Sequence, residues 1–423
     1  MAGGSTTDYN GLFKQAYADK LVDLIPKESV ITRTVDFVGS KGQLGDTYNQ
    51  PVIVRSEQGF TYAAANAGSF SINNPSTMKT RNAVVPGYQL LENCGIAYEA
   101  VYKSDGVNSF MDATKMVMRD ALESFHRRLE IGNLYGQAAT GLGSTSGIAN
   151  GTATTAVCTF NVGQWAAGIW STMEGAQLDV WSSADVKLNA TTPVEVTSID
   201  IVAKTITVTS TSTSEISAIK SGGTNAYLRF YAATGASGVN EAIGLDKILR
   251  NTGDLFGINA TDYNLWRSNV VSTVGALTFK SIQVAVSTAF SRGLDEDVEI
   301  LVNPLSWEAL STEQVAYRML DSSYSTREVV NGFDALVFHS QNGKISIIAH
   351  KYVKEGDAFI VPLAQCIRIG STDVTFNIPG TDSGQIFIQS PTNAGFTFRV
   401  YSAQQLLLLK PATAVLMTGI THS

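Results

Sequence analysis

The chain has 423 residues, 44% of them hydrophobic and 16% charged, with a net charge of −7. That is enough apolar mass for a large core or two to three domains, but the charge falls below the roughly one quarter usual in soluble domains, and a free monomer depends on charged surface for solubility. The composition therefore points to surface buried against other copies of the chain, and against two partners: no run of Lys or Arg exceeds Arg127-Arg128, so there is no extended basic face for nucleic acid, and no apolar stretch approaches the ~20 residues of a membrane span.

Cys94, Cys158 and Cys366 are widely spaced and odd in number, which suits a reducing cytoplasm and gives neither a disulfide framework nor zinc spacing. The start, Met1-Ala-Gly-Gly, lacks the charged residues and apolar run of a secretion signal. Residues 1–40 read as a polar tail and a short amphipathic helix, Tyr9 to Leu24, with Leu12, Phe13, Ala16, Tyr17, Leu21 and Leu24 in helical register and Pro26 ending it. Residues 41–104 carry few helix signals. Gly42, Gly45 and Gly59 punctuate them, and Pro51, Pro75 and Pro86 rule out a regular helix. Val52 to Val54, led in by Tyr48, and Ile96 to Tyr102 are strand-like. Between them, Gly59 to Pro75 is uncharged and mixes Phe60, Tyr62, Phe70 and Ile72 with small residues. A hairpin from Tyr48 to Tyr102 is too long and thin to bury a core alone and needs a neighbouring chain.

Val107 to Gln137 reads as one long helix of about 40–45 Å. Ser109 and Asp112 have capping-box spacing. Phe110, Met111, Met118, Ala121, Leu122, Phe125 and Leu129 share a face, and Asp112, Lys115, Arg119, Glu123, Arg127 and Glu130 lie opposite. Arg119–Glu123 and Glu123–Arg127 are i,i+4 pairs. Gly132 and Gly136 end the helix, and a glycine-rich stretch follows to Gly151. A second helix is predicted from Val162, with Trp165, Ile169, Thr172 and Met173 on one side and Gly175 near its end.

In 186–234, Val194, Val196, Ile199 and Ile201 face Ile206 and Val208 across a turn at Ala203-Lys204, Thr209 to Ser214 is a polar low-complexity run, and Leu228 and Phe230 belong to another strand. This reads as a small self-contained β insertion. Helices are predicted at Asn240–Arg250, Phe279–Arg292 and Pro304–Leu310. Strands are predicted at Val298–Val302, Val329–Phe338 and Lys344–Ala349, the last two around an Asn342-Gly343 turn. The end is read as strands at Gln385–Gln389, Phe396–Tyr401 and Gln404–Leu409, with a loop at 390–395.

No catalytic motif emerges. Gly141, Gly143 and Gly147 miss dinucleotide spacing and follow a helix, and there is no phosphate loop or nucleophile elbow. His126, His339, His350 and His422 show no ligand spacing; His126 reads as an interface or surface residue, and Asp295 to Asp297 as a solvated turn. No catalytic, cofactor-binding or metal residue is predicted, and no cofactor.

The segment Arg128 to Gly136, with Glu130 near the helix end, followed by Gly147-Ile-Ala-Asn-Gly151, resembles the spine-helix ending of tailed-phage major capsid proteins of the Hong Kong 97 fold. Leu245 to Gly275 with Trp266, Arg292-Gly293, Ile300 to Trp307, Arg399 to Tyr401, Lys410-Pro411 and Leu416 to Ile420 resemble further pieces in the same order, across nearly the whole chain. The resemblance implies an α+β fold: an N-terminal arm (1–40), an extended E-loop hairpin (41–104), a peripheral domain with spine helix and long sheet (105–160 and 362–423), an axial domain (161–361) and the β insertion (186–234). It implies a virion structural protein that assembles through a procapsid into hexamers and pentamers of an icosahedral head around double-stranded DNA, with a portal, a separate scaffolding protein and in some relatives a decoration protein. The presumed loop tip, 58–75, lacks a lysine, so tip-borne isopeptide cross-linking is not implied. An encapsulin-like compartment shell is the alternative within the fold, and a mixed α/β enzyme the alternative outside it. Phe60, Tyr62, Phe70, Ile72, Lys79, Arg81, Glu123 and Arg127 are the expected intersubunit contacts.

Overall fold

The computed structural model describes residues 29–39, 47–104, 113–149, 151–235, 238–312, 336–340, 343–377, 386–390 and 394–422. The predicted helix Tyr9 to Leu24, the capping box at Ser109 and the turn residue Asn342 lie outside them. Three large sheets organise the rest.

The first is built on the long strand Gly395–Leu408. It pairs antiparallel with Tyr88–Ala97, with Cys366–Thr375 and with Ile388–Gln389. Phe37–Gly39 adds a parallel edge on Arg368 to Gly370. Sequence reading divides this long strand after Tyr401, but the ladder runs through, because Ser402 and Ala403 are buried along with the leucines that follow and nothing there breaks an extended backbone. The long helix, Ala113–Tyr135, lies on this sheet. Ala121, Phe125 and Leu129 pack with Ile96, Phe398 and Val400, the face that the three-and-four spacing predicted. Tyr98–Ser104 is a short helix, where a strand was expected.

The second sheet has six strands, and its edges meet. The order runs Tyr227–Phe230, Gln177–Trp181, Val194–Asp200, Thr205–Thr209, Thr155–Phe160, Gly143–Ala149. Leu142 N then donates to Leu228 O (2.8 Å) and Thr145 N to Ala226 O (2.9 Å), closing a barrel. Alternate residues fill its interior: Cys158, Leu178, Val180, Val196, Ile206, Val208 and Leu228 are all fully buried. Helix Thr213–Gly222 packs Ile216 and Ile219 into the same core. Burial alone would raise the Glu215 carboxyl, but hydrogen bonds from the Thr191 and Thr192 hydroxyls and amides take it down to about 2. The β insertion is therefore not self-contained at 186–234. Half the barrel's strands precede residue 186, and cutting there would expose three unpaired ladders. The expected hairpin across Lys204 is present, with Val196 opposite Val208 and Ile199 opposite Ile206.

The third sheet is mixed: Asn269–Gly275, Val415–Ile420, Asp357–Val361, Val298–Val302, Gly343–Ala349, Leu336–Ser340. Asp357–Val361 is buried throughout, as befits a central strand. Helix Phe279–Phe290 is capped by reciprocal hydrogen bonds between Thr278 and Ser281 and packs Ile282, Ala285, Val286 and Ala289 on the sheet's core. Val415–Ile420 belongs here, whereas the boundary at 362–423 assigned it to the first sheet. The 3₁₀ turn Pro411–Thr413 redirects the chain, and Asn269 Nδ2 holds the carbonyls of Ala412 (2.8 Å) and Ala414 (3.1 Å), fixing the crossover. Two helices shorten: the one from Val162 is reduced to Ala167–Trp170, and the one at 240–250 to Leu245–Leu249. In the first, Trp165, Ile169, Trp170 and Met173 are buried whatever the backbone does, so the apolar spacing is that of a packed turn.

Candidate assembly surface

Strands Thr47–Arg55 and Lys79–Pro86 form a two-stranded hairpin. Its base is anchored. Ala83 and Val85 are buried, and Val84 N donates to Phe256 O at 2.8 Å. Arg81 Nε donates to Tyr263 OH at 3.2 Å, and both Lys79 and Arg81 lie over the Tyr263 ring. Hydrogen bonds from Lys79 and Arg81 lower the phenol's pKa. Lys79 and Arg81, expected at an intersubunit contact, thus engage a ring of their own chain.

Beyond Arg55 the hairpin leaves the body. Its far end has no regular ladder but is closed by a few bonds: Gln58 N to Ser76 O (3.0 Å), Asn73 N to Thr61 Oγ1 (2.9 Å) and Asn73 Nδ2 to Phe60 O (2.8 Å). Phe60 is 68% exposed, Tyr62 93%, Phe70 53% and Ile72 81%. Isolated exposed apolar residues are ordinary; here four large ones stand in water within one short uncharged segment.

Glu123 and Arg127 lie apart from this tip on the long helix. Glu123 takes Arg119 Nε at 3.0 Å, as the i,i+4 spacing predicted. Arg127 turns to Thr172 O at 3.3 Å, and burial lowers its pKa.

The far end of this helix carries residues that sequence reasoning missed. Glu130, placed on the polar face by periodicity, is completely buried. Its Oε1 accepts from Ile31 N (2.7 Å) and lies 3.1 Å from His350 Nε2; its Oε2 accepts from Thr32 N (2.9 Å) and Thr32 Oγ1 (2.5 Å). Burial would raise the carboxyl, but these bonds, led by His350, hold it below the ordinary glutamate range. One carboxylate thus joins the segment Val30–Thr34, the long helix and the third sheet. Lys354, also buried, is bound by Gly141 O (2.9 Å) and Thr140 Oγ1 (3.1 Å) and sits over the Tyr135 ring; burial lowers its pKa. The helix ends where Gly136 passes so close to Ala242 O that a Cβ could not fit. The only sequence signal for this junction was Glu130 within the helix-ending motif. Of the other histidines, His126 is half-buried with burial lowering its pKa, and His422 Nε2 lies 3.0 Å from Glu355 O. Among the described residues no group of three or more His, Cys, Asp or Glu side chains is placed to hold a metal, and no helix is long and apolar enough to cross a membrane.

The sequence matches no protein-family model and no curated protein. Solved structures do match. The cyanophage A-1(L) capsid asymmetric unit aligns at a TM-score of 0.54 and 12% identity, over 97% of this chain and 98% of that one. The capsid of the empty GTA particle aligns at 0.52 and 8%, over 99% and 100%. The encapsulin of the holo-SrpI complex from Synechococcus elongatus aligns at 0.46 and 8%, over 100% and 98%, too loosely to weigh between kinds of shell. The chain has the α+β fold of phage capsid proteins, as the ordered motifs implied.

Proposed function

We propose that the chain is a major capsid protein that self-assembles into hexamers and pentamers of an icosahedral phage head enclosing double-stranded DNA. The observation that carries this reading is the tip at 59–75: a hairpin anchored at its base in its own subunit presents Phe60, Tyr62, Phe70 and Ile72 to solvent. Burying one such side chain contributes about 1.5–3 kcal/mol. Several per subunit, repeated around a capsomer, make a cohesive contribution, offset in part by ordering the loop. The low charged fraction, 16%, fits surface that ends inside an assembly. The capsid fold supplies the architecture in which identical subunits close a shell.

In this reading the hairpin of 47–86 is the E-loop, its tip lying on an adjacent subunit; Tyr88–Ala97, which the 41–104 boundary included, goes with the first sheet. Residues 1–40 are the N-terminal arm, the long helix with the first sheet the peripheral domain, and the third sheet with its helices the axial domain. The role is structural and uses no catalytic residue or cofactor. A separate scaffolding protein and a portal would complete assembly in the host cytoplasm, a decoration protein could bind the outer face, and DNA would be enclosed without specific contacts. Electron microscopy of purified protein, with and without scaffold, tests this: closed shells support it, and only small oligomers in both conditions defeat it. The genes beside this one separate a phage head from a compartment shell.

A further inference from the structure

The third sheet meets the long helix at a second buried cluster of charge. Asp357 begins the strand Asp357–Val361, Asp246 lies on the helix Leu245–Leu249, and Tyr135 ends the long helix. All three side chains are buried. Arg250, just past the short helix, reaches both carboxyls: its Nε donates to Asp246 Oδ1 at 2.8 Å, and its Nη2 stands 3.6 Å from Asp357 Oδ1. Tyr135 OH donates to Asp357 Oδ2 at 3.5 Å and accepts from Lys354 N at 2.8 Å. The Lys354 ammonium is committed elsewhere, to Gly141 O, Thr140 Oγ1 and Gln164 Oε1.

Asp357 is held quite differently from Glu130. Every polar contact of the Glu130 carboxylate is 3.1 Å or shorter. Among the described residues, no side-chain partner comes nearer to the Asp357 carboxyl than 3.5 Å. Bonds that compensate an ionised carboxylate run to about 2.7–2.9 Å, so a buried negative charge on Asp357 is poorly met. Asp246 also competes with it for the one guanidinium. A proton on Asp357 removes both costs. A cavity of about 270 Å³, lined by Asp246, Arg250 and Asp357 among others, lies against the cluster and is large enough for water to deliver that proton.

We propose that Asp357 is a proton-operated latch at the junction of the long helix, the helix Leu245–Leu249 and the third sheet: protonated, it lets the three elements close on one another, and ionised beside Asp246 it loosens them. The charged and titratable groups that face Asp357 are Asp246 on the short helix, Arg250 at that helix's end, Tyr135 on the long helix and Lys354 in the turn before the strand. Burial, and after it Asp246, push the Asp357 carboxyl up to about 6. The closed junction therefore holds the proton more tightly than an open one. Closure is favoured at low pH, and that contribution is lost as pH rises from the ordinary aspartate value through about 6. Glu130 has the opposite sign, losing its contribution as pH falls. The latch lies within one subunit and does not rest on shell formation.

The experiment is hydrogen–deuterium exchange of the purified full chain at pH 5 and pH 7.5, with rates corrected for the intrinsic pH dependence of exchange. Two amides bond across the junction, Gly244 N to Gly136 O at 2.9 Å and Lys354 N to Tyr135 OH at 2.8 Å; the barrel strand Thr205–Thr209 is the control. Protection at Gly244 and Lys354 should fall on the order of tenfold from pH 5 to pH 7.5, as expected for a proton bound near 6 when closed and near the ordinary value, about 3.9, when open. The barrel strand should not change. Asp357→Asn should keep the higher protection at both pH values. If that variant does not fold, Asp246→Asn replaces it: removing the competing charge should shrink the fall. Equal protection at both pH values in the parent, or a fall of the parent's size in the variant, overturns the latch. A fall shared by the barrel strand is a global change and overturns it too.

Discussion

The arm tip and the helix end treat water in opposite ways. At 59–75, apolar side chains stand in solvent on a loop closed by few hydrogen bonds. At Glu130, a charged group is excluded from water and both its oxygens are occupied. A buried carboxylate is tolerable only when its partners are fixed, so Glu130 reports on the folded subunit. An exposed apolar cluster gains nothing from the subunit's own fold, so it reports on what the subunit meets. Under the proposed function, one chain thus separates residues that build the protomer from residues that would join protomers.

That separation can be broken or sharpened by experiment. The largest effect is expected from the barrel. Replacing 186–234 with a short Gly/Ser bridge removes Val194–Asp200, Thr205–Thr209 and Tyr227–Phe230 and leaves their partner strands unpaired; soluble expression should be lost, and a folded product would show that 143–181 stands alone. Next, Glu130→Leu strands His350 and Thr32 without their acceptor and should cost about 3–5 kcal/mol in denaturant unfolding, while leaving the tip unaltered. Acid tests the same site more gently. The unfolded chain binds a proton at Glu130 near the ordinary value, about 4.3, and the folded state binds it only at lower pH. The resulting stability is full above that value and is lost as pH falls through the folded pKa. A Glu130→Gln variant should show a shallower acid decline in its unfolding midpoint, and an identical decline would place the titration elsewhere. The smallest effect is expected from Lys79→Glu. It removes an exposed, solvent-screened contact with Tyr263 and should change particle yield less than any loss of tip aromatics.

Local features were readable from sequence. The strand Val298–Val302 is a short apolar run, the helix predicted at Phe279–Arg292 runs Phe279–Phe290, and the tip is conspicuous because charge is missing from it. The junction at Glu130 was not readable. Periodicity puts that residue on a polar face, and its partners Thr32 and His350 are 98 and 220 residues away. The barrel's boundary failed for the same reason. The hairpin across Lys204 is local and was found, but the strand that closes against Leu228 begins at Gly143, ahead of the segment read as an insertion. Arg127 illustrates a third limit: helical spacing offers it Glu123, but a carbonyl from another segment, Thr172, takes it. Where sequence order and spatial order coincide, pattern suffices; where a residue is satisfied across the fold, it does not.

The central claim is that the tip joins subunits and does not fold them. The most direct measurement is circular dichroism beside particle yield for the double variant Phe60→Ser, Phe70→Ser. Both side chains are mostly exposed in the subunit, so its helix signal and unfolding midpoint should change by no more than a surface substitution does, about 0.5 kcal/mol. Shells counted by electron microscopy should be fewer or less stable. A double variant that unfolds the subunit itself, or one that assembles as well as the parent, would contradict the account.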